Sequence, residues 1–204
     1  MDAYKTISTP SEGYVTEQRS KFLSFAIPVH TPEQVKEIVD AYRKKYYDAR
    51  HVCWAYMLGA ARAQFRVNDD GEPSSTAGKP ILGAINSHVL TDILIIVVRY
   101  FGGVKLGTSG LIVAYRAAAQ DAIQNAQIIE KTVDEDIAIA FEYPCLNGVM
   151  KTVKEMQAQI LSQHLDNNCR MVLRIRRSEA ERLKQQLSLL VKDIGTANPL
   201  SFRT

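Results

Sequence analysis

The sequence predicts an α+β protein of two domains, on three observations. The run Ile93-Leu94-Ile95-Ile96-Val97-Val98 is apolar on both faces of an extended chain, which marks a strand buried inside a covered sheet. That run feeds a glycine-rich loop, Gly102 to Gly110, which opens a helix. Past the charged stretch Glu130-Lys131-Thr132-Val133-Asp134-Glu135-Asp136 the rhythm becomes strand, helix, strand, strand, helix, strand. This βαββαβ order belongs to a ferredoxin-like domain. The expected boundaries are therefore 1–131 and 132–204.

In chain order, residues 12 to 29 read as two strands around a polar turn near Gln18-Arg19-Ser20-Lys21. Thr31, Pro32 and Gln34 then spell a helix start: a capping hydroxyl, a proline at the first helical position and a capping-box glutamine. Val35, Ile38, Val39, Tyr42 and Tyr46 form its apolar stripe. His51 to Leu58 reads as a strand, with residues 64 to 68 as its hairpin partner. A short helix is expected from about Thr76 to Ser87, and a longer one from about Ser109 to Gln127. Six alanines in the latter (Ala114, Ala117, Ala118, Ala119, Ala122, Ala126) allow close approach of its neighbours.

In the second domain Ile137, Ile139, Phe141 and Tyr143 alternate as a strand. A helix is expected over about Leu146 to Gln157, and strands over 159–166 and 169–177 around the turn Asp166-Asn167-Asn168. Ser178 and Glu181 spell a second capping box before a helix carrying Leu183, Leu187, Leu190 and Val191. A last extended segment runs from about Gly195 to Phe202.

Composition excludes several classes. With 46% hydrophobic and 23% charged residues the chain can bury a core and is not a disordered one. A net charge of +3, evenly divided between the halves, provides no basic tail. Cys53, Cys145 and Cys169 are odd in number and widely spaced, without CxxC, which speaks against a disulfide framework or a zinc site and for a reducing cytoplasm. Met1 to Lys5 lack the apolar core of a signal peptide, and no apolar run approaches the roughly 20 residues of a membrane span. The expectation is a cytoplasmic chain with no membrane partner, no metal and no cofactor.

The first loop, Asp69 to Pro80, carries three carboxylates, Asp69, Asp70 and Glu72, which can bind a cation or work as acid and base. Asp-Gly and Glu-Pro are equally turn chemistry, and no EF-hand spacing or histidine completes a metal set. Thr76 is placed to cap the next helix, and Lys79 follows it. A nucleophilic Ser74 or Ser75 requires a base. Of His30, His51, His88 and His164 only His51 and His88 come near in sequence, and nothing pairs them with a serine.

The second loop, Gly102 to Ser109, nearly spells a phosphate-binding P-loop, but Thr108 stands where that motif requires lysine. Backbone amides at the helix start, with Gly102, Gly103, Lys105, Gly107 and Thr108 around them and Arg99 before them, remain an anion-site candidate. A tight strand-to-helix turn explains the same glycines. Tyr100 and Phe101 beside them suit an interaction surface. No catalytic set emerges, so an enzyme is the less favoured reading. Further on, Arg170, Arg174 and Arg176 share one strand face by parity, opposite Met171, Leu173 and Ile175. An open sheet face with arginines can take a nucleic-acid backbone. A solvated face without stacking aromatics is the favoured alternative.

Two blocks carry a family resemblance: Asp69 to Leu82 (DDGEPSSTAGKPIL) and Val97 to Ala114 (VVRYFGGVKLGTSGLIVA), followed by Tyr115. With Arg19-Ser20-Lys21-Phe22 and Ala49-Arg50-His51-Val52-Cys53-Trp54-Ala55 in support, the chain resembles the IMPACT family, in its bacterial YigZ-like branch. The family pattern has glycine where Ser75 and Ser109 stand, and a serine at positive φ is costly. The resemblance implies an N-terminal domain like the second domain of ribosomal protein S five and a tail like the last domain of elongation factor G. Both are translation-factor parts. The implied function is a non-enzymatic, translation-linked regulator that binds RNA, the ribosome or a ribosome-associated partner. The alternative is an anion- or phosphate-binding enzyme, or enzyme accessory, with its site at 102–110.

Overall fold

In the computed structural model the protein is described over residues 2–196. It divides into two compact units, one built from 4–131 and the other from 132 onward with the first residues of the chain. The first unit is a five-stranded sheet with helices on both faces. Its strands are β2 (Ser11–Glu17), β3 (Ser20–Pro28), β4 (His51–Leu58), β5 (Gln64–Asn68) and β6 (Ile93–Tyr100), in the order β2-β3-β6-β4-β5. Every pairing between neighbours is antiparallel. The central strand is the apolar run, and Ile93 to Val98 are fully buried. The β2–β3 hairpin turns through Gln18 and Arg19, both at positive φ.

One sheet face packs on α2 (Gly78–Ser87) and α3 (Gly107–Gln124) through Phe22, Cys53, Ile95, Val97 and Tyr115. Buried Ala114, Ala118, Ala119 and Ala122 bring α3 so close to β2 that a Cβ on Gly13 would lie 2.5 Å from the Ala122 amide nitrogen. The other face packs on α1 (Pro32–Lys45) through Phe25, Val35, Val39, Tyr56 and Ile96. Thr31 caps α1, its hydroxyl accepting from the Gln34 amide at 3.3 Å. Gln34 returns its side chain to the His30 amide, one residue before the position a capping box uses.

Two strands are absent from the sequence reading. β1 (Ala3–Ile7) pairs with β7 (Ile128–Thr132), so much of the charged stretch read as a boundary is itself strand.

In the second unit β8 (Asp134–Glu142), α4 (Leu146–Glu155), β9 (Gln159–His164), β10 (Asn168–Arg176), α5 (Arg177–Leu187) and β11 (Asp193–Thr196) follow in the expected order. The sheet order is β11-β8-β10-β9, with antiparallel pairing throughout. Ile137, Ile139 and Phe141 meet Met171, Leu173 and Ile175 in a core closed by Val149, Leu183 and Leu187. The helix expected at Ser178 begins at Arg177, and Ser178 caps nothing. Its amide instead points to the Asp2 carboxylate, at 3.3 Å. The expected final segment from Gly195 to Phe202 is strand as far as Thr196, and its remainder lies outside the described residues. No helix among the described residues is long and apolar enough to cross a membrane.

Candidate functional site

The sheet register assembles the site. His51, first residue of β4, is the cross-strand partner of Arg99, near the end of β6. Both lie on the face that carries Cys53 and Val97, so both point toward α3. The first loop crosses this edge and inserts Glu72, whose side chain is 3% exposed. Glu72 Oε1 accepts from Arg99 Nη1 at 2.6 Å and from the Tyr115 hydroxyl at 2.8 Å. His51 Nε2 stands 3.7 Å from the same oxygen. No hydrogen bond among the described residues reaches Oε2. The buried Arg99 Nε also has no partner. The Arg99 guanidinium is held between the rings of Phe22 and Phe101, at 5.5 and 5.6 Å.

His51 is oriented from behind. Its Nδ1 lies 2.7 Å from the Asp70 carbonyl, and a carbonyl only accepts, so Nδ1 carries the proton and Nε2 faces Glu72. Cys53 Sγ sits 3.0 Å from the Asp69 carbonyl and 3.4 Å from the Tyr115 oxygen. Burial pushes the Cys53 thiol and the Tyr115 phenol well up from their ordinary values, so both remain protonated donors. A protonated thiol at this depth is not a nucleophile.

His51, Glu72, Arg99 and Phe101 line a cavity of about 460 Å³, and the two loops meet there. Glu72 and Pro73 come from the first loop, and Lys105, Leu106, Gly107 and Thr108 from the second. Arg50, His51, Arg99, Phe101 and Leu111 complete the wall. The start of α3 opens into it. Among the described residues no side chain caps this helix, so the positive end of an 18-residue helix faces the cavity with its first amides unclaimed by a side chain. Three cationic side chains against one carboxylate make the cavity positive on balance.

Several expected site residues do other work. Asp69 is the cap of α2: Oδ1 accepts from the Ala77 and Gly78 amides at 3.0 and 2.8 Å, and Oδ2 from the Ser75 amide at 2.9 Å. Thr76 does not cap that helix; its hydroxyl turns back to the Pro73 carbonyl at 2.6 Å. Asp70 holds the Val52 amide and Arg43 Nη2, each at 2.7 Å. Lys79 is exposed and outside the cavity wall. Among the described residues no cluster of histidine, cysteine or carboxylate could hold a metal. Gly102 serves a close approach, since a Cβ there would fall 2.1 Å from the Arg19 carbonyl carbon. Gly103 and Gly107 supply positive φ. Ser75 stands at φ +67° in spite of its side chain, whereas Ser109 lies unstrained in the first turn of α3.

Of the three arginines on β10, Arg174 is a fork to Asp136, with Nε–Oδ1 2.7 Å and Nη2–Oδ2 2.8 Å. Arg176 pairs with Asp2 at 2.9 Å. Arg170 is exposed and makes neither kind of pair among the described residues. Sequence reasoning left Arg50 and His51 out of the site. The signal available was parity: His51 is two residues from Cys53, as Arg99 is from Val97.

Fold and cavity together define an α+β protein of two units, with a ligand-sized cavity at the meeting of two glycine-containing loops. The family described as the Impact N-terminal domain matches residues 18–123. The IMPACT family member YigZ of Escherichia coli is 33% identical, over 71% of this chain and 72% of its own. YvyE of Bacillus subtilis is 30% identical, over 82% and 77%. A crystal structure described only as a hypothetical protein shares 27% identity, covers 92% of both chains and superposes with a TM-score of 0.68. The chain belongs to the IMPACT family.

Proposed function

We propose that the chain is a translation-linked regulator that acts by binding RNA, the ribosome or a ribosome-associated partner, and that it performs no catalysis. Family membership is one support. The observation that carries the reading is a continuous cationic and aromatic surface on the first unit. The cavity with Arg50, Arg99 and Lys105 shares Phe101 with a second groove lined by Tyr14, Arg19, Lys21 and Tyr100. Interleaved cations and aromatic rings suit a phosphodiester chain with unstacked bases. Arg170, Arg174 and Arg176 support it less, because two of the three are already ion-paired. The reading includes domains at 1–131 and 132–204. The first is like the second domain of ribosomal protein S five; the second is ferredoxin-like and resembles the last domain of elongation factor G. The sheet order β11-β8-β10-β9 favours the ferredoxin-like part.

Ribosomes and total RNA should co-sediment with the protein at low ionic strength and release it as salt rises. Lys21→Glu with Lys105→Glu should abolish the association. Failure to bind even at low ionic strength overturns the reading. A second reading, an anion- or phosphate-binding enzyme or enzyme accessory with its site at 102–110, is favoured by the oriented His51 Nε2 beside Glu72 in the cavity that this loop lines.

A further inference from the structure

We infer that the cavity between the two loops is a nucleoside-phosphate site, taking a phosphomonoester at the start of α3 and the adjoining base against Phe101. This rests on the anion-binding part of the reading above and names its ligand. Three features of the cavity require different parts of one molecule. The wall joins the uncapped start of α3 to the cations Lys105 and Arg50. Two exposed cations and a helix N-terminus suit a dianion, and a phosphomonoester carries close to two charges at neutral pH. A carboxylate would leave part of that positive charge unmatched.

The wall also carries apolar groups: Phe101, Leu106, Leu111 and Pro73. Phe101 is clamped on the Arg99 guanidinium yet 48% exposed, so its ring is held in place and still offers surface. A bare phosphate would not cover these groups, whereas a planar base would, and stacking on a fixed ring costs little side-chain entropy. The third feature is Glu72. Its charge is already offset by Arg99 and Tyr115 on Oε1, which leaves Oε2 to accept from a base amino group or a ribose hydroxyl. Arg99 and Glu72 are each at least nine-tenths buried, so this polar floor is rigid rather than recruited on binding. A volume of about 460 Å³ holds one nucleotide and not a run of them.

The same chemistry is offered by a free mononucleotide and by the 5′-phosphorylated end of an RNA. Calorimetric titration separates them, using the four ribonucleoside monophosphates, their nucleosides, ribose 5-phosphate, inorganic phosphate, and a short RNA with a 5′-phosphate or a 5′-hydroxyl. A mononucleotide or the 5′-phosphorylated RNA should bind at least tenfold tighter than ribose 5-phosphate. The unphosphorylated counterparts should fall to background. Whichever of the two phosphorylated ligands binds tighter identifies the source. Phe101→Ala should cost the base contribution, about tenfold, and leave inorganic phosphate unaffected. Lys105→Ala should weaken every phosphorylated ligand. Both side chains are exposed, so neither variant threatens the fold. Equal binding of inorganic phosphate and mononucleotide overturns the nucleoside part and leaves the anion site standing. Binding of none of these ligands, with Lys105-dependent ribosome association intact, overturns the inference alone.

Discussion

Ser75 holds φ at +67°, a conformation that costs an L residue with a side chain roughly 1–2 kcal/mol and glycine almost nothing. The strain persists because the Ser75 amide must reach Asp69 Oδ2. Ser75→Gly should therefore stabilise the protein by about 0.5–1 kcal/mol, the relief being partly offset by the greater freedom of glycine in the unfolded chain. Chemical denaturation reads this directly, and a lower midpoint in the glycine variant would contradict it. The family pattern of glycine at this position pointed to the strain from sequence. It pointed equally to Ser109, where the chain is helical and no strain exists. A pattern names a position, and only the backbone angle says what the position needs.

Helix starts show the same division at the scale of elements. Thr31 caps α1 as its local sequence requires, because cap and helix are neighbours in the chain. The other two capping signals, Thr76 and Ser178, are overridden by carboxylates from elsewhere: Asp69 for α2 and Asp2 at the start of α5. Removing Asp69 leaves three amides without their acceptor. Asp69→Ala should cost about 2 kcal/mol or more, with Asp69→Asn intermediate, by the same denaturation measurement. The strands were legible for a related reason. The span of β4 follows from a run that is largely apolar on both faces and the limits of β5 from hairpin length, and both signals are local. β1 and β7 escaped notice because a two-stranded ribbon needs no apolar run, and its charged residues read equally well as a linker.

At the scale of the whole molecule, charge is concentrated in cross-strand and capping pairs of the second unit. Arg174 lowers Asp136, Lys192 lowers Glu142, and the Ser178 hydrogen bond, followed by Arg176, lowers Asp2. Asp166 is lowered by the Asn168 amide and then by His164. A carboxylate whose folded-state pKa is depressed contributes stability above its unfolded value and loses that contribution as pH falls through the folded one. Thermal stability should therefore hold from neutrality to about pH 5 and decline below the ordinary carboxylate values of 3.8 and 4.5. Asp136→Asn should make the decline shallower in melts followed by circular dichroism. Each pair is largely exposed, so the individual effects are small and screened by salt.

The sequence by itself determined the α+β class, most of the elements, the family, and the two loops as the place to look. Each of these rests on residues close together in the chain, where periodicity, capping and turn chemistry act. The tertiary structure alone decided which loop residues face the cavity. Asp69 and Asp70 are claimed by the backbone, while Glu72 is left to face Arg99, His51 and Tyr115. That choice depends on the register of β4 against β6 and on where α3 begins. Both are set by burial of a core whose strand partners lie 36 to 48 residues apart, a separation at which local pattern carries no information.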